Sequence, residues 1–173
     1  MVSEKVQQAI ERSKKALTLK PSLGISTGVS KIKMTNGLAC TITEGKWTLK
    51  ADMPDGIGGD SSGPTPGVYG RAAFGSCLAI GYMMRAAEMN INIHSLEVEV
   101  QADYDDGALL GTSTNPPGYL EVRYLVKVES NSPEELIMKM IEETDRHSPY
   151  LDVFSRPQKC VRHVQINSAK TVS

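Results

Sequence analysis

Three thiols, Cys40, Cys77 and Cys160, are the most reactive side chains in this sequence, and they differ sharply in setting. Cys77 lies in the middle of a run from Pro66 to Met84 that is apolar nearly all round, which reads as a helix buried in a core. A buried free cysteine is by default a small hydrophobe. To act as a nucleophile it must ionise, and that takes a nearby cation, hydrogen-bond donors or a helix N-terminus. Cys77 is mid-helix, beyond reach of the N-terminal dipole, and Arg71 and Arg85 do not share its face at about 100° per residue. Cys40 alternates with Leu38 and Ile42 along a strand-like run, and Cys160 precedes Val161 in another, so packing roles are expected for both. An odd count at unrelated spacings fits neither a disulfide framework nor a zinc site.

Other chemistries have weaker support. Gly56-Ile57-Gly58-Gly59 lacks the lysine of a phosphate loop and the spacing of a dinucleotide fingerprint. Ser61, Ser62 and Ser76 lack the Gly-x-Ser-x-Gly context of a hydrolase nucleophile. His94, His147 and His163 have no ligand-pair spacing, so no metal is expected. Asp103, Asp105 and Asp106 fall on the wet face of a strand and in the turn that follows, where solvation explains them.

The elements that must position Cys77 can be read from periodicity. An amphipathic helix from about Ser3 to Thr18 carries Val6, Ile10 and Leu17 on one face and is closed by Pro21. Three β-rich runs, Gly28–Met34, Leu38–Glu44 and Lys46–Asp52, are separated by Asn36-Gly37 and Glu44-Gly45 and form a meander. A loop of turn formers from Pro54 to Pro66 leads into the Cys77 helix, with Pro66 in its first turn. Leu96, Val98, Val100, Ala102 and then Leu120, Val122, Tyr124, Val126, Val128 alternate with mostly charged residues, giving two strands with one buried face each. The joining segment Asp105–Gly118 is a long loop, and this loop and Pro54–Gly63 are expected to be weakly anchored. Ser132-Pro133-Glu134-Glu135 opens a second helix, with Ser132 as its cap, that ends near His147. A short extra helix or a kinked continuation of the second helix follows over Ser148–Phe154, and Lys159–Ile166 reads as a last strand. The order α-βββ-α-ββ-α(α)-β describes an α+β fold, with residues 1–20 as a helical extension and 21–173 as a single domain.

With 173 residues, 40% hydrophobic, the chain can bury one core. A formal charge of −1 with scattered basic residues gives no footprint for nucleic acid or an anionic membrane. The first residues lack an apolar signal core, so a cytoplasmic protein is expected.

Taken in order, Asp52-Met53-Pro54, Gly58-Gly59, Gly63-Pro64-Thr65-Pro66, Ala72-Ala73-Phe74-Gly75-Ser76-Cys77, Ala86-Ala87, Asn90-Ile91 and the strand Leu96–Val100 resemble the OsmC/Ohr family of osmotically induced and organic hydroperoxide resistance proteins, over roughly residues 24–167. The resemblance implies an intertwined homodimer whose central helices pack between sheets built from both chains. It also implies that Cys77 occupies the position of the thiol that attacks hydroperoxides. Ser148, in Ser148-Pro149, stands where the family's resolving cysteine stands and is not itself redox-active. Gly67 stands where a glutamate usually follows the helix-opening proline. The family's activating arginine comes from the early strands, and the only arginine before Arg71 is Arg12, in the extension. Lys31, Lys33 or Lys50 would replace it only in part, because lysine lacks the bidentate fork.

Two functions follow from this pattern. One is a weakened thiol-dependent reduction or sensing of organic hydroperoxides at Cys77, with an external thiol, Cys40 or Cys160 completing the cycle. The other is a non-catalytic dimer that binds a small apolar ligand or a partner. No cofactor is implied by either.

Overall fold

Helix α2, Pro66–Glu88, is the element around which the others are arranged. Thr65 precedes it in extended backbone and Pro66 fills the first helical position, where a missing N–H costs nothing. Asn90, with φ +54°, turns the chain out of the helix. The structure, a computed structural model, describes residues 4–167; residues 1–3 and 168–173, at the ends of the extension and of the domain read from the sequence, lie outside that range.

The chain then forms β4, Ile93–Asp103, and β5, Glu121–Ser130, an antiparallel pair in register at Val98↔Val126 and Val100↔Tyr124. Their inner face, Leu96, Val98, Val100, Val122, Tyr124, Val126 and Val128, packs on the core of Phe74, Leu78, Tyr82 and Ala86. Their outer face carries ion pairs between Arg123 and Asp103 and between Lys127 and Glu97. Helices α4, Glu134–Asp145, and α5, Pro149–Ser155, complete this layer, α4 inserting Met140, which has no exposed surface. Two glycines set the spacing. A Cβ on Gly75 would lie 3.0 Å from Val100 Cγ2, and one on Gly81 would lie 2.8 Å from Thr144 Cγ2. Helix α1, Glu4–Leu19, has no buried residue; it leans on α2, where Lys14 pairs with Glu88.

The meander comprises β1, Lys31–Asn36, β2, Ala39–Glu44, and β3, Trp47–Ala51, with Ile32, Ile42 and Leu49 in register across it. Gly37 and Gly45, at φ +52° and +54°, make its turns. Alternation puts Ile32, Met34, Cys40, Ile42, Leu49 and Ala51 on one face and Lys31, Lys33, Thr41, Thr43, Thr48 and Lys50 on the other. The apolar face is largely uncovered, Ile32 being 60% and Met34 58% exposed.

Three expectations need correction. Lys159–Ile166 is not a strand: residues 157–167 are irregular and exposed, because alternation yields a strand only beside an edge that pairs with it, and among the described residues no strand does. Helix α4 is capped by Pro133 rather than Ser132, with the Leu136 and Ile137 N–H groups donating to the Pro133 carbonyl. Within the single chain, helix α2 is covered on one side, Val68, Ile80 and Met84 remaining 42%, 61% and 45% exposed, and the exposed side is the one that the implied homodimer would cover. The long 105–118 connection holds a four-residue helix α3, Asp106–Leu109, capped by Asp105, whose carboxylate accepts from the Gly107 N–H at 2.8 Å.

Candidate functional site

Cys77 lies half-buried on α2, three residues beyond fully packed Phe74 and one before Leu78. Across from it the α4–α5 corner brings in Ser148. The Cys77 Sγ to Ser148 Oγ distance is 3.9 Å, although 71 residues separate the two. Ser148 is 6% exposed and caps α5, its Oγ accepting from the Leu151 N–H at 3.3 Å. Pro149 follows as the first residue of α5, so the Ser-Pro pair read from the sequence makes a helix start directed at the thiol.

The corner is held by a network that sequence reasoning missed. Tyr82, five residues beyond Cys77, donates to Asp145 Oδ1 at 2.7 Å, and Tyr124 from β5 donates to Oδ2 of the same carboxylate at 3.1 Å. Asp145 ends α4, three residues before Ser148, so the carboxylate ties three elements together beside the site. Desolvation, then the bond and charge of Asp145, raise Tyr82 above the ordinary tyrosine value. Desolvation followed by the Asp145 charge raises Tyr124 in the same direction. The available signal was Tyr82 itself: a tyrosine within an apolar helix needs a partner for its hydroxyl.

Aromatic rings extend from the site to the start of α2. Phe154 of α5 stacks on Phe74 at 4.8 Å between centroids and on Tyr119 at 6.1 Å. Tyr119 in turn donates to the Gly67 carbonyl at 3.0 Å. The first turn of α2, where the resemblance implies a glutamate, is thus packed against Tyr119, with Gly67 and Gly70 leaving it room.

The other candidates are placed elsewhere. Cys40 lies on the apolar face of the meander and Cys160 in the exposed C-terminal segment; all three cysteines are free thiols. Lys31, Lys33 and Lys50 point to the meander's polar face, opposite the one that Cys40 shares, and none of them hydrogen-bonds the Cys77 sulfur. Arg85 is engaged by Glu88 at 2.7 Å, and the Arg71 guanidinium lies back along the helix toward Gly67. Among the described residues, Ser148 is the one hydrogen-bonding partner of the Cys77 sulfur.

The loop before α2 is anchored rather than loose. Asp52, 1% exposed, accepts from Ser62 Oγ at 2.5 Å and from the N–H groups of Met53, Asp60 and Ser62. These bonds, led by the Ser62 hydroxyl, hold its carboxyl down at about 2.

The family model for OsmC-like protein matches residues 58–161, more than half of the chain, and the chain belongs to that family. No curated protein sequence matches it. Among solved structures, an OsmC-like protein from Mycoplasma pneumoniae is similar at 16% identity and a TM-score of 0.63, over 75% of this chain and 87% of that one. An organic hydroperoxide resistance protein from Elizabethkingia anophelis, with thiocyanate bound, is similar at 16% identity and 0.57, over 76% and 89%. An organic hydroperoxide resistance protein OsmC from Legionella pneumophila is similar at 13% and 0.54, over 76% and 90%. At these identities the likeness is one of fold, and it bears out the α+β architecture read from the sequence.

Proposed function

We propose that the protein reduces organic hydroperoxides at Cys77 in a one-cysteine cycle completed by a small external thiol. The observation that carries this reading is the 3.9 Å approach of Ser148 Oγ to the Cys77 sulfur. The position that would hold a resolving thiol is directed at Cys77, but it holds a hydroxyl. The Cys77 thiolate attacks one oxygen of the hydroperoxide; the S–O bond forms, the O–O bond breaks and the alkoxide leaves as the alcohol after taking up a proton. Sulfur is oxidised by two electrons to the sulfenic acid and the peroxide is reduced. A thiol then condenses with the sulfenic acid to a mixed disulfide and water, and a second thiol releases Cys77 with formation of the external disulfide. Turnover is slow, because no arginine fork supports the thiolate.

The protein acts as a homodimer in the cytoplasm. Three free thiols suit a reducing compartment, and the uncovered apolar face of the meander suits a second copy of the chain. Among the described residues no helix is long and apolar enough to cross a membrane.

With cumene hydroperoxide and dithiothreitol, the wild-type chain is expected to consume peroxide slowly, and Cys77→Ser not at all. Mass spectrometry should find sulfenic or over-oxidised Cys77, and Ser148→Cys should permit an internal disulfide. A Cys77 that ignores both peroxide and alkylating agents overturns this reading in favour of a non-catalytic apolar ligand-binding dimer. Rapid wild-type turnover overturns the impaired-site part of it.

A further inference from the structure

We infer that the Ser148 hydroxyl donates its hydrogen to the Cys77 sulfur and favours the thiolate, giving serine a catalytic part at the position where a two-cysteine relative carries its second thiol. The inference deepens the proposed hydroperoxide chemistry and rests on Cys77 as the reacting thiol. Ser148 is 6% exposed, so water does not readily satisfy its hydroxyl. Its oxygen already accepts the Leu151 N–H at 3.3 Å. One proton remains to be donated, and among the described residues the Cys77 sulfur, at 3.9 Å, is the acceptor that faces it. When Cys77 is ionised the direction of this bond is settled, since a thiolate has no proton to give. A hydrogen bond made to the charged form favours that form. The alternative sources of stabilisation are directed elsewhere: Arg85 is held by Glu88, Arg71 lies toward Gly67, and the His147 Nδ1 contacts the Glu143 carbonyl at 2.8 Å. The corner that fixes the serine is itself pinned by Tyr82 and Tyr124 on Asp145, so the hydroxyl is presented to the sulfur rather than recruited to it.

The role separates from helix capping by choice of substitution. Ser148→Ala removes both the donor and the cap, Ser148→Asp keeps a capping oxygen but has no donor and adds a negative charge, and Ser148→Thr keeps both. The rate at which iodoacetamide alkylates Cys77 at pH 7 is followed on the Cys77 peptide by mass spectrometry, with circular dichroism reporting the fold. Alkylation about tenfold slower than wild type is expected for Ser148→Ala, slower again for Ser148→Asp, and near the wild-type rate for Ser148→Thr. A wild-type rate in folded Ser148→Ala or in folded Ser148→Asp overturns the inference. Where Ser148→Ala does not fold, the Ser148→Asp and Ser148→Thr pair decides it. Neither result depends on peroxide turnover: loss of the hydroperoxide reading would show in wild type against Cys77→Ser, while loss of the serine's role would show only among the position 148 variants.

Discussion

At the scale of single residues, Asp52 shows how one buried side chain organises the loop that leads into α2. The carboxylate receives three backbone N–H groups and the Ser62 hydroxyl, and those donors depress its protonation to about 2 from an ordinary 3.8. A depressed carboxyl stabilises the fold at any pH above its unfolded value, and that contribution is lost as pH falls through the folded value. Stability is therefore expected to drop between about pH 4 and pH 2 as Asp52 protonates and the Pro54–Gly63 loop loosens. Asp52→Asn replaces half of the acceptor capacity with donors that face the loop's own N–H groups. Its urea midpoint should be lower than wild type at pH 6, and its decline between pH 4 and pH 2 shallower. Asp103, Asp105 and Asp152 are also depressed, chiefly by Arg123, Ser113 and Arg156 respectively, so the decline is reduced rather than abolished. An unchanged slope in Asp52→Asn would assign the acid sensitivity to those surface groups instead.

At the scale of elements, the spacing between α2 and α4 decides whether Cys77 and Ser148 meet. A methyl at Gly81 would lie 2.8 Å from Thr144 Cγ2, too close for van der Waals contact. Thr144 cannot rotate away freely, because its Oγ1 donates to the Met140 carbonyl at 2.8 Å. Gly81→Ala alone gains up to about 1 kcal/mol of helix propensity, but overpacking costs about 1–3 kcal/mol, so the net is destabilising. In a Thr144→Ser background the clashing methyl is gone and the same Gly81→Ala change should become stabilising. Chemical denaturation of the four proteins in the cycle measures the sign reversal, and its absence would mean that α4 moves aside at little cost.

These elements also show what the sequence made legible. The period-two pattern of Leu96–Ala102 and Val122–Val128 found β4 and β5 and their inner faces, because each strand has a partner and a helix beneath it in the same chain. The Ser148-Pro149 start of α5 was legible for a local reason, capping. The 3.9 Å meeting with Cys77, and Asp145 beneath it, depend on how α4 turns across α2, which neither segment encodes alone. Lys159–Ile166 failed for the opposite reason: its alternation is real, but among the described residues no strand pairs with it.

At the scale of the whole molecule, the exposed area is larger than that of a compact monomer of the same length. The chain presents 13201 Å², whereas a compact monomer of this length presents about 8,300 Å². The excess of about 4,900 Å² far exceeds the roughly 800 Å² per partner of a standard interface. Part of it belongs to the exposed segment 157–167 and to α1, which has no buried residue, and part to two apolar faces. The meander shows Ile32, Met34, Trp47 and Leu49, and α2 shows Val68, Ile80 and Met84, two faces with exposed apolar side chains of the kind that mark an interaction surface. Ion pairs do not substitute for cover, since those on the outer face of β4 and β5 are exposed and individually weak. Association through these faces removes apolar area in proportion to its extent, and a second copy of the chain brings the same two faces. Sedimentation equilibrium at micromolar concentration is therefore expected to give a homodimer with no detectable monomer. Ile32→Asp combined with Leu49→Asp places charges on the two outer strands of the meander, on either side of Ile42 on its apolar face, each costly to bury unpaired. That variant should be recovered as monomer or aggregate while wild type remains dimeric. A wild-type monomer, or a double variant that dimerises as tightly as wild type, would show that the meander does not face a partner.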